Sequence, residues 1–91
     1  MTLYVITYDV RLTNHDYKGL YDQLEKWKAA HLQNSVWLVD YNGKSKAVRD
    51  ALKAHMHSDD TISVIQLAED FDWATLRVRS EGTDWMKTHS P

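Results

Sequence analysis

Near its N-terminus the chain carries a run of β-branched and aromatic residues with almost no polar interruption, Leu3-Tyr4-Val5-Ile6-Thr7-Tyr8. Such residues favour extended backbone, and a run without polar alternation is typical of a central strand that is covered on both faces. The run ends at Asp9. This feature predicts a sheet built around the first strand, with other elements packed on it.

Two helical segments alternate with two further strands. Apolar residues at three-and-four spacing predict a helix from about Asp16 to Ala30, with cap-forming residues at 13–16. A strand is expected over Ser35–Tyr41, bent or split around residues 33–35 and closed by the turn-forming pair Asn42-Gly43. A second helix is predicted from Ser45 to near His57, and a strand over Thr61–Leu67.

The whole chain, residues 1–91, is predicted to be one domain, because no linker or repeat divides it. Residues 68–91 form a C-terminal extension, with a loop at 68–72, a short edge strand over Trp73–Arg79 and one or two amphipathic turns over Thr83–His89. The order of elements predicts an α+β fold of the ferredoxin-like (βαββαβ-type) kind, an antiparallel sheet with two helices on one face.

Composition bears on assembly and location. Four Trp and five Tyr in 91 residues exceed what one thin core easily hides, so we expect a homodimer, formed through the opposite sheet face if that face carries Tyr and Trp. The absence of cysteine excludes disulfides and thiolate zinc sites. A net charge of −2 argues against nucleic-acid coating by bulk charge. No signal peptide or membrane-spanning run is recognised, which predicts no membrane association and a cytoplasmic location.

Asp9 is the candidate catalytic and metal-binding residue. It follows an apolar strand at the sheet rim, and hard cations such as Mg²⁺, or Mn²⁺ in its place, often need only one or two protein carboxylates. The alternative interpretation is a strand-ending carboxylate that accepts hydrogen bonds from loop amides. Asp40 or Asp60 is a candidate for a supporting carboxylate, without a catalytic role.

Three short motifs, in this order, carry a resemblance to a known family: Thr7-Tyr8-Asp9-Val10, Ser35-Val36-Trp37 and Asp60-Thr61-Ile62-Ser63-Val64-Ile65-Gln66-Leu67. The chain resembles the small CRISPR-associated protein of the spacer-integration complex and toxins of the virulence-associated protein D type. The resemblance implies a ferredoxin-like homodimer. In some members it implies a Mg²⁺-dependent endonuclease for RNA or DNA, with the residue matching Asp9 binding metal near the two-fold axis.

In other members the same scaffold bridges an integrase and binds duplex DNA. The chain departs from the family in lacking an Arg-rich start of the first helix, since only Arg11 and Lys18 stand near it. Trp37 also replaces the usual Phe.

Two further groups of residues have open interpretations. Arg11, Lys44, Lys46 and Arg49 are weak candidates for nucleic-acid contacts, and a solvated helix face with ordinary ion pairing is the favoured interpretation of the last three. His55 and His57, with Asp59 and Asp60, have metal-ligating side chains, but two helical residues at this spacing point to different faces.

The sequence therefore predicts a metal-dependent endonuclease that cleaves RNA or DNA. The alternative is a non-catalytic dimeric module that binds a protein partner or duplex nucleic acid. A regulator from a mobile element is compatible with the small size, but no motif supports it.

Overall fold

The computed structural model describes residues 1–11 and 17–91. Seven helices and strands lie within these residues. In chain order they are β1 (Thr2–Asp9), α1 (Lys18–Lys26), β2 (Ala30–Gln33), β3 (Val36–Tyr41), α2 (Ser45–Lys53), β4 (Thr61–Gln66) and α3 (Ser80–His89). The predicted α+β class is confirmed, as are the strands at β1, β3 and β4 and the start of α2 at Ser45.

The four strands form an antiparallel sheet in the order β2-β3-β1-β4. In β1, Thr2 lies opposite Tyr41 of β3, and Asp9 lies opposite Thr61 of β4. The connections through α1 and α2 each join two strands that have one other strand between them. This order is compatible with a ferredoxin-like sandwich, and it places β1 in the interior of the sheet as its apolar run predicts.

One face of the sheet packs against α1 and α2. Alternate residues of β1 point to this face, and their side chains are almost completely buried. The helices contribute apolar residues at helical spacing, which complete the core. The fully buried members of this core are Ile6, Leu20, Leu24, Val39, Val48 and Leu52.

The opposite face is partly covered by α3, which lies over β2 and β3. Trp85 and Met86 of α3 pack there with Leu32 and Leu38. The Tyr and Trp side chains of the strands, Tyr4, Tyr8, Trp37 and Tyr41, all belong to the face with α1 and α2. The strands therefore do not supply the aromatic surface on which the expected dimer contact depends.

Both predicted helices are shorter than their periodicity indicates. α1 ends at Lys26, four residues before Ala30, because Lys28 adopts a left-handed conformation (φ 58°) and Ala30 begins β2. The predicted start at Asp16 lies outside the described residues. α2 ends at Lys53, and turns continue the chain to Met56.

The predicted edge strand over Trp73–Arg79 is wrong. Within this described segment the backbone forms no strand, and Arg77 adopts a left-handed conformation (φ 60°) that a strand does not allow. α3 then spans ten residues, more than the predicted one or two turns. None of the described helices combines the length and apolar character needed to cross a membrane.

Candidate functional site at the end of β1

Asp9 is the last residue of β1 and its side chain is 65% exposed. Since Tyr8 points to the core with α1 and α2, strand alternation directs Asp9 to the opposite face of the sheet. Among the described residues, Arg11 forms an ion pair with this carboxylate, and its Nε lies 3.5 Å from Asp9 Oδ2. The carboxylate is therefore accessible from solvent and is held loosely by one exposed ion pair.

Asp60 lies at the same end of the sheet, immediately before β4, and accepts three hydrogen bonds. Its Oδ1 accepts from Arg11 N at 2.9 Å, and its Oδ2 accepts from the Tyr17 hydroxyl at 2.7 Å and from His57 N at 2.8 Å. Burial by itself raises the pKa of Asp60, but these hydrogen bonds outweigh it and the pKa lies below its usual value. Asp60 thus joins the β1–α1 connection to the turn that precedes β4.

Arg11 connects the two carboxylates, since its backbone N–H donates to Asp60 while its side chain pairs with Asp9. In the part of the chain that the structure describes, no three His, Asp or Glu side chains gather closely enough to hold a metal ion. Within one copy of the described chain, Asp9 therefore offers a cation a single carboxylate with a guanidinium beside it.

Asp40 does not lie near Asp9. In the antiparallel pairing of β1 with β3, Asp40 lies opposite Leu3. Leu3 and Asp9 are six positions apart in an extended strand, which is a distance of about 20 Å. His89 Nε2 of α3 lies 3.8 Å from Asp40 Oδ2, and Asp40 Oδ1 is buried without a partner. The structure thus places Asp40 under α3 rather than in a shared site with Asp9.

Lys44 directly precedes α2, and Lys46 and Arg49 lie within the first five residues of that helix. Tyr41 precedes this helix and pairs with Thr2, so the start of α2 lies near the end of β1 that is about 23 Å from Asp9. Of the predicted nucleic-acid contacts, only Arg11 is beside Asp9.

Two of these cations pair with one carboxylate. Lys46 Nζ donates to Asp50 Oδ2 at 2.7 Å, and Arg49 Nη2 donates to Asp50 Oδ1 at 2.9 Å. Hydrogen bonds from Lys46 and then from Arg49 lower the pKa of Asp50. The Asp50 carboxylate therefore neutralises part of the positive charge of Lys46 and Arg49 on the helix surface.

His55 and His57 diverge at the end of α2. The His55 ring lies against Gly19 of α1, so closely that a Cβ on Gly19 would lie 2.5 Å from His55 Nδ1. His57 Nδ1 instead accepts a hydrogen bond from Asp59 N at 3.2 Å. The two imidazoles do not share a site, which agrees with their two-residue spacing.

A buried aromatic group next to α1 was not anticipated from the sequence. Trp37 Nε1 donates to the Tyr8 hydroxyl at 3.0 Å, and His31 stacks flat on Trp37 with ring centroids 4.3 Å apart. Burial, opposed by the Trp37 hydrogen bond and assisted by Tyr21, raises the pKa of Tyr8 to about 12. The alternation of β1 and β3 was a signal that Tyr8 and Trp37 share a face, but it did not indicate their hydrogen bond.

A scan against models of known protein families found no match to this chain. A search of solved structures likewise found none that matches.

Proposed function

We propose that the chain forms a ferredoxin-like homodimer in which the two Asp9 carboxylates hold one Mg²⁺ or Mn²⁺ ion and cleave a phosphodiester of RNA or DNA. The exposure of Asp9 at the end of an interior strand is the observation that supports this proposal. An exposed carboxylate on a rigid strand is available to an ion without rearrangement of the core.

A second copy of the chain would supply the second carboxylate ligand that one copy lacks. Mg²⁺ commonly takes one or two protein carboxylates and fills its remaining positions with water and substrate phosphate oxygens. Two symmetry-related Asp9 side chains satisfy that requirement. The two Asp9 carboxylates would hold the ion, and the ion would supply Lewis-acid activation for the attack of water on phosphorus, with the P–O ester bond breaking and the leaving oxygen taking a proton from solvent.

The side of this sheet face that carries β4, away from the contact of α3 with β2 and β3, is where we place the second copy. The outward residues of β4 beside Asp9, namely Thr61, Ser63 and Ile65, are exposed, and Ile65 has an exposed fraction of 57%. A two-fold contact on this half would bury Ile65 and bring both Asp9 residues towards the axis.

The proposal is tested by incubating labelled RNA and duplex DNA with the protein in Mg²⁺, in Mn²⁺ and in EDTA. We expect metal-dependent cleavage that Asp9→Asn lowers at least about a hundredfold, the order of loss seen when a principal catalytic group is removed. Asp70→Asn is the matched control, because it removes one negative charge from an exposed loop residue. Equal activity of Asp9→Asn and the wild type rejects the assignment.

A second candidate function is a non-catalytic dimeric module that binds a protein partner or duplex nucleic acid. The proximity of Arg11 favours it, because a guanidinium 3.5 Å from Asp9 supplies the charge that a metal would otherwise supply. Binding that persists in EDTA, without turnover in either metal, selects this alternative.

A further inference from the structure

Two aromatic rings meet at the end of the sheet that lies farthest from Asp9. Trp27 follows α1, Tyr41 ends β3, and their ring centroids are 5.1 Å apart in an edge-to-face arrangement at 64°. Both side chains pack against the core yet remain half-buried. Each residue therefore keeps an accessible part at the surface.

Exposed cations lie close in sequence to both rings. Lys26 and Lys28 flank Trp27 in the chain, and Lys44 follows Tyr41 by three residues. Lys46 and Arg49 continue the cationic surface along α2, where they share Asp50. Residues 25–50 thus contain five cations and three carboxylates, Glu25, Asp40 and Asp50. A chain with a negative overall charge thus has a positive surface at this end.

The loop that carries Lys44 is fixed against the rings. The Tyr4 hydroxyl donates to Gly43 O at 2.6 Å, and Gly43 lies so close to Tyr41 that a Cβ there would be 2.7 Å from Tyr41 Cε2. At the other ring, Lys28 N donates to Glu25 O at 2.9 Å in a left-handed turn. Rings and loops are therefore preorganised, which reduces the entropy lost when a ligand binds.

The charges at the start of α2 are the reverse of the usual arrangement. A helix N-terminus has a partial positive charge and favours acidic residues, yet the first turn of α2 has no acid and Lys44 occupies its cap position without a side-chain hydrogen bond. An anion bound beside Lys44 would relieve this repulsion.

We propose that the surface formed by Trp27, Tyr41, Lys26, Lys28 and Lys44 binds single-stranded nucleic acid. Unpaired bases stack on the accessible parts of the two rings, and the lysines contact the phosphates. A duplex fits less well, because its bases are already stacked on one another and do not present their faces. The inference deepens the proposed function, on which it rests for the kind of substrate.

The test measures binding of fluorescein-labelled 12-mer single strands, RNA and DNA separately, by fluorescence anisotropy in EDTA. Lys28→Gln/Lys44→Gln is compared with Lys53→Gln/Lys87→Gln, a control with the same net charge and exposed lysines elsewhere. We expect the first variant to bind about tenfold more weakly. The slope of log affinity against log salt should also become shallower by about 1.4, which corresponds to two lost phosphate contacts. The control should change less than about twofold.

Tyr41→Leu tests the stacking contribution, with circular dichroism to verify folding. We expect about a tenfold loss for single strands, in the range measured for one base stacked on one aromatic ring. If Tyr41→Leu does not fold, the lysine pair still decides the matter, because its side chains are exposed.

Equal weakening by both lysine pairs would show that net charge alone drives binding and would overturn the inference. Tighter binding of a matched duplex than of either single strand, or no binding by the wild type in about 50 mM salt, would overturn it as well. EDTA prevents metal-dependent cleavage, so the binding measurement does not depend on nuclease activity. If single strands bind at this surface but Asp9→Asn and the wild type cleave equally, only the nuclease proposal is rejected.

Discussion

The hydroxyl of Tyr17 donates a 2.7 Å hydrogen bond to Asp60 Oδ2, which ties the residue before α1 to the residue before β4. Forty-three positions separate these residues in the chain. The backbone N–H groups of Arg11 and His57 converge on the same carboxylate. One acidic side chain thus fixes how the β1–α1 and α2–β4 connections meet at the end of the sheet that carries Asp9.

Replacing Asp60 by Asn should destabilise the fold in a pH-dependent way. The pKa of Asp60 is lowered in the folded protein, so its stabilising contribution is complete above the unfolded value of 3.8 and disappears as the pH falls through the lower folded value. Urea unfolding at pH 7 should separate the variant from the wild type, and the gap should narrow below about pH 4. Tyr17→Phe should lose about 1 kcal/mol through the missing hydroxyl. A gap between wild type and Asp60→Asn that is constant from pH 7 to pH 3 would contradict this account.

Tyr8→Phe should cost about 1 to 2 kcal/mol at neutral pH, because it leaves the indole N–H of buried Trp37 without its acceptor. The pKa of Tyr8 is raised to about 12, so the wild type should also lose stability as the pH rises from about 10 towards 12, when the unfolded chain releases the phenolic proton first. Tyr8→Phe should lack this part of the alkaline decline. Tyr41→Phe, at a half-buried ring on the same face of the sheet, is the control and should have a smaller effect at pH 7.

Gly82→Ala should destabilise the protein by about 1 to 3 kcal/mol, although alanine is the better helix former. A Cβ at position 82 would lie 2.7 Å from Leu32 Cα, and backbone cannot move aside as a side chain can. Gly19→Ala is the matched control, since the new methyl group meets only the His55 ring among its nearest neighbours. Thermal unfolding should rank Gly82→Ala clearly below Gly19→Ala. The reverse order would mean that α3 does not pack so tightly on β2.

Arg11→Gln should tighten Mn²⁺ binding about two- to fivefold if Asp9 is a ligand, because it removes the competing guanidinium of a weak exposed pair. The free energy of unfolding should change by less than about 1 kcal/mol for the same reason. Electron paramagnetic resonance of free Mn²⁺ measures the affinity, with Arg79→Gln as a control for lost charge. Mn²⁺ binding that is unchanged by Arg11→Gln and also by Asp9→Asn would remove Asp9 from consideration as a ligand.

The elements that were predicted well have signals contained in their own residues. β1 and β4 are rich in β-branched residues, and α2 has regular helical spacing after a clear start. β2 was obscured because His31 follows Trp27 by four residues and so continues the helical period. What makes Ala30–Gln33 a strand is its pairing with β3, which local spacing does not reveal.

The residues of the candidate site were likewise predictable only where the signal lies in the neighbouring sequence. Asp9 was found because it ends an apolar run, whereas the role of Asp60 depends on donors supplied by distant segments. The basic residues were identified by charge alone, and only the antiparallel register shows that Lys44 and Asp9 lie at opposite ends of β1. The error at Trp73–Arg79 arose because this described segment pairs with no strand, and its Trp73 and Val78 side chains pack against the apolar cluster beside α3 instead.

The attachment of α3 differs in kind from that of every strand. α3 is not hydrogen-bonded into the sheet as a strand is. It packs on β2 and β3 through Trp85, Met86 and the close contact at Gly82. The helix can therefore detach without breaking the pairing of any strand, so its amides should exchange with deuterated solvent well before those of β1. Each such opening exposes fresh apolar surface on a sheet that otherwise stays intact.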